Sequence, residues 1–218
     1  MTLLLPLAAL VGYVLGSVPW GVIVLRLVRG PDPRGVGSGN IGAANVMRAG
    51  GAGVGLATLA LDAGKGSLAA GLFAGHDSHA AAVAGLCAVL GHCYPVWLRF
   101  RGGKGVATLL GAAAVTGWPL APLAFAVAWL TMAMACRIAS VASLAGSWAS
   151  VLVTLGWACV AWWTGAGGLA SERAWMGGAL ALSALVVTAR HRANLHRLRL
   201  GTEPRIGRKP PEQKETPR

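Results

Sequence analysis

The chain has 218 residues, of which 55% are hydrophobic and only 12% are charged, and its mean hydropathy is +0.61. A soluble domain carries about a quarter charged residues, so this composition excludes a soluble globular fold. The net charge of +12 alone would fit nucleic-acid binding, but the cations lie where membrane topology places them. Long apolar runs without strict alternation favour spanning helices over a membrane β-barrel.

Seven apolar segments are predicted to cross the membrane, since about 20 helical residues span a hydrocarbon core of roughly 30 Å. In chain order they are 3–25, 51–73, 79–98, 105–117, 119–136, 140–163 and 174–190. The fourth is short for a full crossing, and Trp118-Pro119 is a plausible turn into the fifth. A re-entrant hairpin over 105–136, which leaves five crossings, is therefore the alternative.

Basic residues predict the orientation, because short cytoplasmic loops hold an excess of lysine and arginine. With the N-terminus outside, 17 of the 19 lysines and arginines fall inside. The five-crossing alternative would place a basic loop outside, so seven crossings are preferred. The predicted fold is an all-α integral membrane protein with seven transmembrane helices, its N-terminus outside and its C-terminus cytoplasmic. Residues 1–199 form one membrane domain, and 200–218 form a polar, disordered cytoplasmic tail.

The first polar loop is rich in glycine, serine and asparagine. It reads Gly37-Ser38-Gly39-Asn40-Ile41-Gly42-Ala43-Ala44-Asn45-Val46-Met47-Arg48. Glycines let the backbone approach an anion closely, while the serine, asparagine and arginine side chains offer hydrogen-bond donors. The loop is predicted to bind phosphate. The alternative is an ordinary glycine-rich turn.

The second polar loop ends in Gly102-Gly103-Lys104-Gly105, directly before a new apolar helix. Glycines around a lysine can form an anion-binding nest, and the positive end of the following helix would face the same point. The loop is not a Walker motif, because Leu98 stands in place of the leading glycine. A basic loop that only enforces topology would explain Arg99 and Arg101 but not the glycines.

The third polar stretch runs over 190–203 and follows the last apolar segment. At helical spacing His191, Asn194 and Arg197 fall along one face and can point into the bundle, although His191 and Asn194 are equally plausible as structural residues. The neighbouring arginines, Arg190, Arg192 and Arg199, are assigned to anionic lipid. All three stretches lie inside in the preferred topology, which is the arrangement expected of one shared active site.

Two ionisable residues, Asp62 and Lys65, lie three apart within the second apolar segment. Charged groups inside a membrane are costly, so these two are predicted to form a pair that supports the site. A pair that only holds the bundle together is the alternative.

Together these stretches resemble the motifs of the bacterial acyl-phosphate glycerol-3-phosphate acyltransferases, the PlsY family, over residues 12–207. The matching runs are Ser-Gly-Asn-Ile-Gly, Gly-Gly-Lys-Gly-Val-Ala-Thr and Arg-His-x-x-Asn continuing to Gly-Thr-Glu, with Gly16-Ser17-Val18-Pro19-Trp20-Gly21 and Leu61-Asp62-Ala63-Gly64-Lys65-Gly66 beside them. Ala44 departs from the usual threonine, which removes one hydroxyl and leaves the other donors in place.

The resemblance implies an inner-membrane enzyme whose active site lies on the cytoplasmic face. It would transfer an acyl group from acyl phosphate to the 1-hydroxyl of glycerol 3-phosphate, giving lysophosphatidic acid and phosphate in the first step of phospholipid synthesis. Expected partners are these two substrates, membrane lipid and an acyl-phosphate-forming enzyme that supplies the donor. No nucleic acid, cofactor or metal is expected.

Residue roles follow from the motifs. The residues expected to be catalytic are Ser38, Arg48, Lys104, His191 and Asn194. Those expected to bind substrate are Gly39, Asn40, Gly42, Asn45, Gly102, Gly103, Gly105 and Arg197. Those expected to support the site are Asp62, Lys65 and His92.

The expected mechanism is direct attack without an acyl-enzyme, because the chain has no Gly-x-Ser-x-Gly elbow and acyl phosphate is already activated. The hydroxyl proton would go to the substrate phosphate or to His191. Two other classes remain: an organophosphate transporter, which would need a polar path across the bilayer, and a nucleic-acid-binding membrane protein, which would need an aromatic stacking surface.

Overall fold

A computed structural model describes residues 3–116 and 119–207. Within these ranges the chain forms ten α-helices and no strand. The helices are α1 (Leu4–Ser17), α2 (Trp20–Leu27), α3 (Ala43–Gly50), α4 (Ala52–Ala74), α5 (Ser78–Cys93), α6 (Val106–Thr116), α7 (Leu120–Cys136), α8 (Ala139–Trp163), α9 (Gly167–Arg190) and α10 (Arg192–Arg199). The predicted all-α fold class is therefore confirmed.

Three helical stretches in the described ranges are long and apolar enough to cross a membrane, namely Leu4–Leu27, Ser78–Leu98 and Ala139–Trp163. The helices α6 and α7 are apolar but shorter. The helices α4 and α9 occupy the two remaining predicted spans and carry charged residues within them. Seven crossings and their orientation stay predictions.

The first predicted span, 3–25, is broken into two helices at Val18 and Pro19. Proline has no N–H to donate and its ring clashes with the preceding turn, so a helix seldom runs through it. Val18 is extended there, with φ −62° and ψ 117°. The break leaves the Val18 carbonyl facing inward, where it accepts a hydrogen bond from Lys65 Nζ at 2.9 Å.

Several predicted boundaries differ from the structure. Within the predicted span 79–98, the helix α5 ends at Cys93, and Pro95 opens a separate short helical turn over Val96–Leu98. The helix α9 begins at Gly167, seven residues before the predicted start at 174. The short helices α3 and α10 lie in stretches interpreted as polar loops. Gly117 and Trp118 of the predicted turn lie outside the described residues.

The segment after α10 packs onto the bundle. The backbone N–H of Ile206 donates to the Arg137 carbonyl at 2.6 Å, and the Glu203 side chain accepts hydrogen bonds from Ser140 and Asn194. The disordered tail predicted from residue 200 is thus corrected: folded contacts continue to Ile206. Residues 208–218 lie outside the described part of the chain.

Glycines let pairs of helices approach closely, chiefly α1 with α5 and α4 with α6. A Cβ added at Gly66 on α4 would lie 2.1 Å from the Thr108 carbonyl oxygen on α6, and one at Gly111 would lie 1.9 Å from the Ala63 carbonyl oxygen. These contacts hold the N-terminal end of α6, where Lys104 enters it, against α4.

Replacing Gly66 by alanine is therefore expected to destabilise the bundle by about 1–3 kcal/mol, the usual cost of overpacking. Gly64 on the same helix is a matched control, since a Cβ there meets no atom within 4 Å. Thermal unfolding of the purified variants measures the difference. Equal unfolding midpoints for Gly66→Ala and Gly64→Ala would contradict the close contact.

Candidate active site

A pocket of about 1000 Å³ lies where the three polar stretches meet. Of the predicted site residues, Ser38, Gly39, Asn40 and Gly102 line it. Four arginines line it as well: Arg34, Arg99, Arg101 and Arg190. All three stretches contribute to this lining, the third through Arg190, whereas Arg48, Lys104, His191, Asn194 and Arg197 are not part of it. The pocket carries a surplus of positive charge that suits anionic ligands.

Asp32 is the carboxylate in the pocket lining. It forms a bidentate pair with Arg34, with Nε to Oδ1 at 2.9 Å and an outer guanidinium nitrogen to Oδ2 at 2.6 Å. The hydrogen bonds from Arg34 lower the pKa of Asp32 to about 2. Asp32 therefore stays ionised and offsets the charge of one of the four arginines, so the lining keeps a net positive charge.

The buried side chain of Asn45 is used to build the first loop. Its Nδ2 donates to the carbonyls of Pro33 (2.8 Å), Val36 (3.0 Å) and Asn40 (2.9 Å), and its Oδ1 accepts the Ser38 N–H at 3.0 Å. The substrate contact predicted for Asn45 is corrected accordingly: all of its polar atoms hold the loop, and Ser38 is presented to the pocket as a result.

A second asparagine stabilises the turn that follows. Asn40 Oδ1 accepts the Gly42 N–H at 2.8 Å, so the Gly42 amide predicted to bind substrate is also occupied. Ser38, Gly39 and Asn40 still line the pocket. Arg48 lies exposed near the C-terminal end of α3 and is not part of the pocket lining.

Gly102 and Gly103 of the second loop use both their N–H and their carbonyl groups in hydrogen bonds within the protein. The N–H of Gly102 donates to the Cys93 carbonyl at 3.2 Å and that of Gly103 to the His92 carbonyl at 3.0 Å. The carbonyls of Gly102 and Gly103 accept hydrogen bonds from Arg190 at 2.8 and 3.0 Å. The anion contact predicted for these two amides is therefore corrected. So is the lipid contact predicted for Arg190, which instead orders the loop.

Backbone N–H groups without a carbonyl partner begin directly after Gly103. In the described chain the N–H groups of residues 104–108 donate to no carbonyl, because the first bond of α6 runs from Leu109 N–H to Gly105 at 2.8 Å. Gly105 has φ +83°, a conformation that favours glycine. These amides and the positive end of α6 lie beside Lys104, an arrangement that favours an anion.

Lys104 is largely buried among other ionisable groups. Burial lowers the pKa of its ammonium group to about 8; Arg197, Arg48 and Arg190 act in the same direction, and Glu203 opposes them. The predicted cations from all three stretches are therefore close enough to interact. An anion bound here would favour the charged form of Lys104.

His191 joins α9 to α10, and its Nδ1 lies 2.8 Å from the Val187 carbonyl oxygen. This contact assigns the proton to Nδ1 and leaves Nε2 as an acceptor. Burial and the Lys104 charge lower the pKa of His191 to about 4, so the ring is neutral at pH 7. The side chain is buried rather than exposed to lipid.

Glu203 organises the third stretch, and no role was predicted for it. Its carboxylate accepts hydrogen bonds from Ser140 Oγ (2.8 Å), Asn194 Nδ2 (2.6 Å) and Arg197 Nε (2.8 Å). Burial favours a raised pKa, but these three donors outweigh it and the pKa of Glu203 lies below its usual value. The Gly-Thr-Glu run was a signal for Glu203. No sequence pattern indicated Ser140, which lies far away in sequence at the start of α8.

The predicted pair in α4 is present, with Lys65 Nζ 2.9 Å from Asp62 Oδ1. His92, expected to support the site, lies at the end of α5 against the same carboxylate, with Nδ1 3.4 Å from Oδ1. All three side chains are no more than 4% exposed.

The chain matches known proteins over nearly all of its length. The family model described as glycerol-3-phosphate acyltransferase matches residues 6–201. The glycerol-3-phosphate acyltransferase of Rhodospirillum rubrum is 44% identical over 221 residues, covering 95% of this chain and 93% of that protein. That of Mesorhizobium japonicum is 46% identical, covering 96% of this chain and 100% of the other.

Two crystal structures of PlsY (YgiH), an integral membrane glycerol 3-phosphate acyltransferase, share the fold. The glycerol 3-phosphate form has a TM-score of 0.79 at 34% identity, and the lysophosphatidic acid form has 0.78 at 33%. Each comparison covers 92% of this chain and 94% of the other. With its apolar helices, the chain is thus a multi-pass integral membrane protein, and it belongs to the glycerol-3-phosphate acyltransferase family, as its motifs predicted.

Proposed function

We propose that this protein transfers a fatty acyl group from acyl phosphate to the 1-hydroxyl of glycerol 3-phosphate, giving lysophosphatidic acid and inorganic phosphate. The observation that carries the proposal is the convergence of three polar stretches on one cationic pocket at the ends of apolar helices. Both substrates carry phosphate, and the donor also carries a chain that suits the membrane. The names of the relatives support glycerol 3-phosphate as the acceptor.

Lys104, Arg48 and the amides of residues 104–108 hold phosphate in this proposal. A charged donor and several backbone N–H groups on one anion give short, strong hydrogen bonds. Arg190 contributes indirectly, since it fixes the carbonyls of the loop that carries Lys104. The site therefore stabilises negative charge both on the substrates and on the departing phosphate.

Ser38, His191 and Asn194 orient glycerol phosphate. Asn194 Nδ2 is held by Glu203, so its amide oxygen is the atom available to a substrate hydroxyl. Arg197 is likewise held by Glu203, and we assign it to positioning rather than to direct phosphate contact. The substrate hydroxyl can thus be aligned by groups whose own orientation is set within the protein.

The reaction proceeds by direct attack. The hydroxyl oxygen of glycerol 3-phosphate bonds to the acyl carbonyl carbon, the bond from that carbon to the phosphate oxygen breaks, and the hydroxyl proton ends on the released phosphate. An acyl-enzyme would need a nucleophile activated by a base. Ser140 Oγ instead donates to Glu203, whose lowered pKa makes it a weak base.

His191 is also a weak base, with a pKa of about 4, whereas phosphate groups accept a second proton with a pKa of about 6. Substrate phosphate is therefore the proposed proton acceptor. A His191→Gln variant is expected to keep kcat within about tenfold of wild type while KM for glycerol 3-phosphate rises. A fall in kcat of about 10³-fold at unchanged KM would instead identify His191 as the general base.

The activity is expected to decline as pH rises through about 8, because free Lys104 loses its proton there and binds phosphate less tightly. Activity falls on the alkaline side because the protonated, cationic form of Lys104 is the form that binds phosphate. In Lys104→Arg the guanidinium keeps its proton to above about pH 12, so its kcat/KM should stay level through pH 9. Profiles from pH 6 to 10, corrected for spontaneous acyl phosphate hydrolysis, test this. The same alkaline decline in both proteins would contradict it.

The reaction itself is tested with detergent-purified protein, glycerol 3-phosphate and either acyl phosphate or acyl-CoA. Formation of lysophosphatidic acid with an equal amount of phosphate, from acyl phosphate alone, is the expected result. Product from acyl-CoA only would overturn the proposed donor. Absence of product with either donor, from folded protein, would overturn the enzyme and favour an organophosphate transporter.

The distribution of basic residues supports a location in the cytoplasmic membrane of the cell, with seven crossings and the pocket on the cytoplasmic face. This orientation places the water-soluble acceptor and a donor supplied by an acyl-phosphate-forming enzyme on the same side as Lys104. Lipid would surround the apolar helices.

A further inference from the structure

His92 packs against the loop that carries Lys104. Its carbonyl accepts the Gly103 N–H at 3.0 Å. A Cβ added at Gly103 would lie 2.0 Å from His92 Nε2, so the imidazole packs directly against the Gly103 backbone. From the other side, Arg190 Nε donates to the Gly103 carbonyl at 3.0 Å. The position of the His92 ring therefore determines where the Gly103 backbone lies.

The position of that ring depends in turn on Asp62. His92 Nδ1 lies 3.4 Å from Asp62 Oδ1, a close polar contact, and neither atom has a hydrogen-bond partner among the described residues. Both side chains are at most 4% exposed, and α4 supplies Asp62 while α5 supplies His92. The carboxylate favours the tautomer with a proton on Nδ1, which leaves Nε2 unprotonated on the side of Gly103.

Lys65 completes the group. Its ammonium lies 2.9 Å from Asp62 Oδ1 and 2.9 Å from the Val18 carbonyl oxygen at the break between α1 and α2. The Val-Pro break and the Asp-x-x-Lys run, two motifs without a role in the proposed chemistry, thus meet in one buried contact. Lys65 places a positive charge beside the buried Asp62 carboxylate, and such pairing offsets the cost of burying a charge.

We propose that Asp62 and His92 are positioning residues for the phosphate site. Asp62 holds the His92 ring, the ring holds Gly103, and Gly103 places Lys104 and the amides at the start of α6. The inference rests on the proposed function in assigning that site to phosphate. If the trio served only to hold the bundle together, its loss would lower stability without selectively weakening anion binding.

The test uses the double variant Asp62→Asn with Lys65→Met, because Asp62→Asn alone would leave a buried cation unpaired. His92→Phe is the second variant, since it keeps a ring under Gly103 but removes the Nδ1 contact. Thr58→Val on α4 is the control: Thr58 is also buried, and its hydroxyl is bonded within its own helix to Val54 at 2.9 Å.

Inorganic phosphate binding is measured by calorimetry on purified protein, beside KM, kcat and thermal unfolding. Both variants are expected to fold and to bind phosphate about tenfold more weakly, with KM raised similarly and kcat changed far less. Phosphate affinity and KM equal to those of Thr58→Val in either folded variant would overturn the proposal. Failure of both variants to fold would also overturn it, because the trio would then act on the bundle.

Calorimetry needs no turnover, so the two proposals can fail separately. A wild-type protein that binds phosphate but forms no lysophosphatidic acid refutes the reaction, while the comparison of the variants still decides the role of Asp62 and His92. A wild-type protein that forms product, with variants that bind phosphate normally, refutes only the positioning role.

Discussion

Replacement of Lys104 by alanine is expected to lower kcat/KM with acyl phosphate by on the order of 10³-fold, the loss typical of removing a charge-stabilising donor from an active site. Lys104 lies directly before α6 and is partly buried, and this burial lowers its pKa to about 8. In such a site the interaction of a cation with phosphate is stronger than at the surface. Release of phosphate and formation of lysophosphatidic acid are measured together.

The matched control is Arg192→Ala, which removes an exposed cation from the start of α10, whereas Lys104 is partly buried. It is expected to leave kcat/KM within about twofold of wild type, since exposed charges interact weakly in water. Equal losses in the two variants would mean that the general positive charge of the surface matters and Lys104 itself does not. A Lys104→Ala protein with near-normal kcat/KM would remove Lys104 from the phosphate site.

Replacement of Glu203 by alanine is expected to reduce kcat/KM by about 10²-fold and the free energy of unfolding by about 2 kcal/mol. The change frees Ser140 and Asn194, which are buried donors held by Oε1, and leaves them to find other partners. The ion pair with Arg197 adds little to stability, because that side chain is 38% exposed. Thermal unfolding and steady-state kinetics of the same preparation measure both effects.

Two further variants sharpen this prediction. Glu203→Gln keeps an acceptor oxygen but loses the charge, so it should fall between wild type and Glu203→Ala in both measurements. Glu172→Ala removes an exposed glutamate near the start of α9 and should change neither. If Glu203→Ala kept wild-type kinetics at reduced stability, Asn194 would not depend on Glu203 for its orientation during catalysis.

Much of the fold was predictable because its determinants are local. Apolar runs long enough to span a bilayer predict helices directly, and α4, α6, α7 and α8 lie within one residue of the predicted limits at each end. The break at Pro19 was overlooked, although proline is the residue most expected to interrupt a helix. The extension of α9 to Gly167 was missed because Ser171, Glu172 and Arg173 lower its hydropathy.

The candidate phosphate residues were also recognisable from local pattern, since glycines around a lysine before an apolar helix are a short-range signal. The sequence did not show which of these donors remain free for a ligand after folding. Asn45 and the Gly103 amide have the right chemistry for an anion, yet both are already paired, the first with the carbonyls of its own loop and the second with His92 at the end of α5.

Composition and spacing alone thus account for the apolar helices, and they predict basic residues on one side of the membrane and a phosphate-binding role for Lys104. Packing accounts for the roles of Arg190 and Glu203, whose partners lie in other parts of the chain. Arg190 bonds to Gly103, 87 residues away, and Glu203 to Ser140, 63 residues away. A hydrogen bond forms only between groups that folding brings within about 3 Å, so residue type shows which groups can donate and tertiary contacts select which ones remain for substrate.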